Sequence, residues 1–213
     1  MSIFYNLLIN MNTDIFLLLF ICLYVIIYIM KLTDEERNRF KSDFKWSSEV
    51  FYEYIWQFIK PHLNGEIVKL ENVVYSSDVE KTLDALAGID CWHVTDGYIV
   101  RGIASRIQIT QYPYNSFTIR LSRDNGNMTE YEKRKFAITN ANDGCVYPHF
   151  TIQSYIASKS GPLLSCGIAK TRDVIKFIDN ELHYTRRTSN ATFAVCEWDR
   201  MIEYGYDVLI IIP

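Results

Sequence analysis

Apolar positions along the chain fall into three regimes. The first is an unbroken run: Ile15 to Met30 reads IFLLLFICLYVIIYIM, without a charge, between Asp14 and Lys31. The second has helical spacing. From Thr33 to Lys60, the residues Phe40, Phe44, Phe51, Ile55 and Phe58 share one face, Thr33 with Glu36 makes a capping box, and Pro61 ends the pattern. In the third, from Glu66 onward, short β-rich runs alternate with short helical ones. Glu66 to Tyr75 reads as a strand or a strand plus loop, and Asp78 to Ala87 as a helix with Val79, Leu83 and Leu86 inward. Ile89 to Thr95 and Tyr98 to Thr110 flank Thr95-Asp96-Gly97, a hairpin signal.

The pattern continues with a strand at Ser116 to Leu121 and a polar turn at Arg123 to Asn127. Thr129 with Glu132 makes a second capping box, opening a helix to about Asn140. Phe150 to Ala157 and Leu163 to Ala169 are strands. Thr171 caps a helix with Val174, Ile175, Ile178 and Leu182 inward, and Phe193 to Trp198 and Val208 to Ile212 close the chain as strands. Mixed helices and strands, with hairpins between strands, predict an α+β fold: a mixed central sheet with flanking helices, preceded by one N-terminal hydrophobic helix.

The uncharged run divides the chain into residues 1–30 and a soluble α+β domain, 31–213. As a helix it reaches roughly 24 Å, against about 30 Å of hydrocarbon. That makes it a short transmembrane candidate. Lys31, Arg37, Arg39, Lys41 and Lys45 follow it and no base precedes it, which predicts a single-pass membrane protein with the domain on the cytoplasmic side. The alternative is a start at Met30, where Met-Lys-Leu-Thr-Asp-Glu-Glu opens a cytoplasmic protein.

Composition changes this picture little. Of 213 residues, 49% are apolar and 15% aromatic, a globular balance that favours sheet. The five cysteines are scattered, with no CxxC pair, which fits reduced thiols better than a disulfide framework. Cys91 and His93 share a strand face, but no second pair has zinc-ligand spacing. No Walker A or dinucleotide fingerprint occurs.

Charge is more informative. All 22 Lys and Arg and 24 of the 25 acids follow Met30, so the domain is close to neutral and any contact with DNA or RNA must be local. Glu66 to Asp90 holds six acids against Lys69 and Lys81; Arg101 to Lys135 holds seven bases against three acids. The hairpin brings the two stretches together, with Asp90 across from about Gly102 or Ile103. Ala104, Arg106 and Gln108 share one face of the second strand. The sequence leaves open whether Asp90 points to that face; if it does, a carboxylate, a guanidinium and an amide on neighbouring strands suit Mg²⁺-assisted attack on a phosphodiester, in which the ion takes carboxylates, waters and a phosphate and the cation stabilises developing charge.

The run Leu83-Asp-Ala-Leu-Ala-Gly-Ile-Asp90-Cys-Trp, the hairpin and Gly102-Ile-Ala-Ser-Arg-Ile-Gln108 together resemble a divergent core of the PD-(D/E)XK nuclease superfamily, over about Ser48 to Ala157. The resemblance implies a restriction-endonuclease-like sheet and a metal-dependent nuclease acting on nucleic-acid phosphodiesters, with Mg²⁺ as cofactor. Asp90 matches the family's Asp and would hold metal with Glu53 on the first helix, or with Glu80 and Asp84. Gln108 would be a further ligand or position water, and Arg106 would stabilise charge. Arg120, Arg123, Lys133, Arg134 and Lys135 would track phosphates. The chain departs from the family in having no acid-x-Lys between Tyr98 and Thr110; Ala104-x-Arg106 and Arg106-x-Gln108 stand nearest. The competing expectation is a non-catalytic interaction module tethered to the membrane through residues 15–30.

Overall fold

The computed structural model describes residues 45–69, 88–95, 99–123 and 128–213. The chain divides into two units, Met1–Trp46 and Ser47–Pro213. Of the first, only residues 45 and 46 are described, both helical. The hydrophobic segment 15–30, the first capping box, the helix expected from Asp78, and the Asp96-Gly97 turn lie outside the described residues. Among those described, no helix is long and apolar enough to cross a membrane.

The second unit opens with helix α1: residues 47–50 are α-helical, Phe51–Ile55 make a π-helical turn, and Trp56–Ile59 resume the α form before Pro61. Strands β1 (Glu66–Lys69), β2 (Cys91–Thr95) and β3 (Ile99–Ile109) follow, then β4 (Ser116–Arg123) and helix α2 (Glu130–Thr139). After α2 come β5 (Pro148–Ile156), β6 (Leu163–Lys170), α3 (Thr171–Asp179), β7 (Tyr184–Arg187), β8 (Ala191–Glu197), α4 (Trp198–Glu203) and β9 (Val208–Ile211). The fold is α+β, as expected. The single expected sheet is two: a mixed six-stranded sheet in the order β1-β2-β3-β5-β6-β9, and a three-stranded antiparallel sheet in the order β4-β8-β7. In the larger sheet β3 and β5 are parallel, and the other neighbours are antiparallel.

The two faces of the larger sheet carry different partners. α1 is tied to the sheet through Tyr52, whose hydroxyl donates to the Asp90 carbonyl at 3.3 Å, and Tyr54, whose hydroxyl accepts from Leu163 N–H at 3.0 Å. Trp56 also packs on His93, ring centroids 5.8 Å apart. Against the other face lies the main apolar cluster, where Phe117, Ile119, Ala194 and Cys196 of the small sheet meet Tyr155, Ala169, Phe177, Trp198 and Met201. Gly167 belongs to this packing, because a Cβ there would fall on the Trp198 indole. Trp198 therefore lies directly on the β6 backbone.

Local chemistry explains where elements begin. The expected capping box of α2 is present: Glu132 N–H donates to Thr129 Oγ1 at 3.3 Å and Thr129 N–H donates to the Glu132 carboxylate at 2.7 Å. At α3 the expectation fails. The N-cap is Lys170, with no side-chain cap, and the Thr171 hydroxyl is spent across the sheet on Thr151, 2.9 Å away. Trp198, expected in a strand, instead opens α4.

Candidate functional site

The β2–β3 hairpin sets the site. Thr95 pairs with Ile99 and Cys91 with Ile103, so the connection holds three residues and not two. The register is one step from the expected one. Continued, it sets Asp90 opposite Ala104, on the same side as Arg106, because side chains alternate along a strand. The Asp90 backbone N–H donates to Ile103 O at 2.8 Å, and its Oδ2 accepts from Ser105 N–H at 2.5 Å. The carboxylate is thus held down onto β3. Its charge also favours the ionised Arg134 guanidinium of α2.

On the Arg106 side β3 and β5 present matched pairs: Ala104 beside Thr151, Arg106 beside Gln153, and Gln108 beside Tyr155. Arg106 donates from Nη1 to the Thr118 carbonyl at 2.9 Å and from Nη2 to Glu130 at 2.7 Å. Glu130 also takes Arg134 at 2.7 Å and the Arg120 backbone N–H at 3.3 Å. Burial works against the ionised Glu130 carboxyl. The guanidiniums of Arg106 and Arg134 and the Arg120 N–H outweigh it and hold the carboxyl below its usual value. Burial pulls the Arg134 guanidinium below its ordinary range, partly offset by Glu130. Arg134 reaches Thr151 at 3.3 Å, and Gln153 Oε1 accepts from the Thr118 hydroxyl at 3.1 Å. Two buried donors, Arg134 Nε and Gln153 Nε2, have no hydrogen-bond partner among the described residues.

A second feature adjoins this network. Across the small sheet, Phe193 pairs with Arg120 on one side and with Arg186 on the other. The three residues form a cross-strand row. The Arg120 guanidinium lies 5.2 Å from the Phe193 ring centroid and that of Arg106 5.7 Å, both cation–π contacts. Arg186 and its neighbour Arg187 are exposed.

The residues expected from sequence separate accordingly. Asp90, Arg106 and Gln108 occupy one side of adjoining strands, and Arg134 and Arg120 join them. Arg106 does not pair with Asp90; its guanidinium goes to Glu130. Glu53 is exposed on α1, and it is Tyr52 from that helix that reaches Asp90. Lys135 turns to α3, bonding Asp179 at 2.8 Å and Tyr131 at 2.9 Å. Lys133 is half-buried on α2, and Arg123 ends β4, opposite Ala191 and outside the Arg120–Phe193–Arg186 row. Glu80 and Asp84 lie outside the described residues. No group of three His, Cys, Asp or Glu side chains that could hold a metal occurs among the described residues.

Glu130, Gln153, Phe193 and Arg186 were missed by sequence reasoning. For Glu130 a signal existed: it follows the capping Thr129 and stands four residues before Arg134, the spacing of a helical ion pair. No family model matches this chain, and neither a curated protein nor a solved structure matches it.

Proposed function

We propose that this domain binds nucleic acid through a local basic surface on a divergent nuclease-like scaffold. The observation that carries the reading is the Arg120–Phe193–Arg186 row, with Arg106 against the same ring. Arginine is a principal phosphate-contacting side chain, and stacking on an aromatic face holds its guanidinium in place. A nearly neutral domain needs such a concentration to hold a polyanion at all. Within the larger sheet the sequence α1, β1, β2, β3, α2, β5, with β5 parallel to β3 and β4 diverted between β3 and α2 into the small sheet, supports the nuclease-like scaffold implied by the resemblance.

The test is the salt dependence of binding of a labelled duplex by the full chain. Arg120→Ala and Arg186→Ala are each expected to weaken binding and to lower the slope of log affinity against log salt by about 1. A wild-type chain that binds no nucleic acid at low salt overturns the reading.

Metal-dependent cleavage is a second reading, favoured by one observation: Asp90 stands at the head of β2 on the side of Arg106 and Gln108. Asp90 would hold Mg²⁺, and the ion would supply Lewis-acid activation of water. Asp90 would meet it with an oxygen already oriented by the Ser105 N–H, and Gln108 would contribute a neutral oxygen. The acid opposite Asp90 is replaced by Ala104, so a second carboxylate would have to come from Glu80 or Asp84. Cleavage of a labelled duplex with Mg²⁺ or Mn²⁺, lost in Asp90→Asn, is the expected result; equal cleavage by that variant rules the site out.

A further inference from the structure

A second basic and aromatic patch lies where β5 begins and β6 passes into α3. It shares no residue with the Phe193 row. The rings of Tyr147 and His149 stack, with centroids 5.1 Å apart and planes 20° from parallel. The Arg172 guanidinium lies 5.1 Å from the Tyr147 centroid, and that of Arg101 5.9 Å from Phe150. His149 and Arg172 are exposed, Arg101 and Tyr147 half-buried. Burial first, then the charges of Arg101 and Arg172, hold the His149 imidazole below its usual value, so both charges that the ring feels are cations. Neither arginine makes an ion pair among the described residues. Arg106 and Arg134, by contrast, share the Glu130 carboxylate.

We propose that Tyr147, His149, Arg101 and Arg172 form a docking site for an unpaired nucleotide, its base extending the Tyr147–His149 stack and its phosphate held by the two arginines. The near-parallel rings select a flat ligand, and the uncompensated guanidiniums select an anion; a nucleotide is both. An acidic peptide would use the cations and leave the rings idle. Stacking on an aromatic platform requires the base to be outside a duplex. The proposal rests on the nucleic-acid reading above and adds to it a preference for single-stranded segments.

The experiment is equilibrium binding of the full chain to a fluorescein-labelled oligothymidylate and to a blunt duplex of equal length. His149→Ala and Tyr147→Ala are expected to weaken single-strand binding roughly tenfold, the effect of losing one base–aromatic stack. His149→Phe, which keeps a ring, should retain it. Arg172→Ala should lower the single-strand salt slope by about 1. Duplex binding should be unchanged in His149→Ala, and exposed His149 lets that variant fold, as far-UV circular dichroism would verify. Unchanged single-strand binding in His149→Ala overturns the proposal, as does an equal loss on both probes or displacement of the oligonucleotide by polyglutamate at equal potency. If duplex binding persists and is weakened in Arg186→Ala, the failure belongs to this site alone. If neither probe binds the wild type, the nucleic-acid reading fails with it.

Discussion

Glu130 Oε2 lies 2.7 Å from Arg106 Nη2, which ties the first turn of α2 to the middle of β3. The other Glu130 oxygen takes Arg134 one helical turn on, so a single carboxylate neutralises two guanidiniums. Removing it leaves both charges uncompensated in a largely buried setting. Glu130→Ala is expected to cost about 3–5 kcal/mol in chemical denaturation, the range for breaking a buried pair from one side. Glu130→Gln, which keeps an acceptor for the Arg120 N–H, should fall between it and the wild type. Because the folded carboxyl titrates below the unfolded one, this stabilisation is present above about pH 4.3. It is lost as pH falls through the lower folded value. Acid unfolding curves of wild type and Glu130→Gln should therefore converge at low pH.

Much of the secondary structure was legible in the chain, for reasons that are local. The capping box at Thr129 and Glu132 is self-contained, and it predicted α2 within a residue or so. β6 is mostly apolar and its burial matches, whereas β5 buries Thr151, Gln153 and Ser154 among its apolar residues. What was not legible depends on distant partners. All four residues of β7 are exposed, so Tyr184–Arg187 shows no alternation of buried and exposed positions to mark it as a strand. Thr171 reads as a cap until Thr151 is placed beside it. The hairpin register turned on one residue of loop length, and that residue decided the side on which Asp90 stands. Arg106 found its carboxylate on a helix after β4, a pairing no spacing rule could select.

Asp90 allows structure and chemistry to be separated. Its Oδ2 accepts the Ser105 N–H, and deleting that acceptor leaves a partly buried donor without a partner. Asp90→Ala is expected to cost about 1–3 kcal/mol. Asp90→Asn retains a side-chain oxygen and should cost less, measured by urea unfolding. If the site also hydrolyses phosphodiesters, Asn should remove activity while keeping most of the stability. Parallel losses of activity and stability in both variants would mark Asp90 as purely structural.

His93 gives a second pH dependence, in a different window. It is buried at 1% exposure between Trp56 and Phe150. Burial holds its imidazole below the usual value; the nearby Asn64 backbone opposes this and the Arg101 charge reinforces it. The unfolded chain then binds the proton more readily than the folded one. Stability from a neutral His93 is present above about pH 6.5 and falls as pH drops below it. His149, also held low, acts in the same direction. Thermal melts from pH 7.5 to 5 should show a falling midpoint in the wild type and a shallower fall in His93→Phe.

Gly167 makes the seat for Trp198. A methyl group there cannot be accommodated without lifting the indole, and overpacking of this kind typically costs about 1–3 kcal/mol. Gly167→Ala should be less stable by that order and should red-shift the tryptophan emission as the ring gains access to water. An unchanged melting midpoint would show that the indole has room to move.

The small sheet has a consequence for synthesis. Among the described residues β4 pairs with β8 alone, and β8 is made only after α2, β5, β6, α3 and β7. Until β8 leaves the ribosome, β4 has neither edge hydrogen-bonded, and closing so long a loop is entropically slow. A nascent or prematurely terminated chain would carry Ser116–Arg123 as a bare template for pairing with other chains. Truncation anywhere before Glu197 should therefore yield insoluble material and not a smaller working domain. Chaperone demand during translation should peak in that interval.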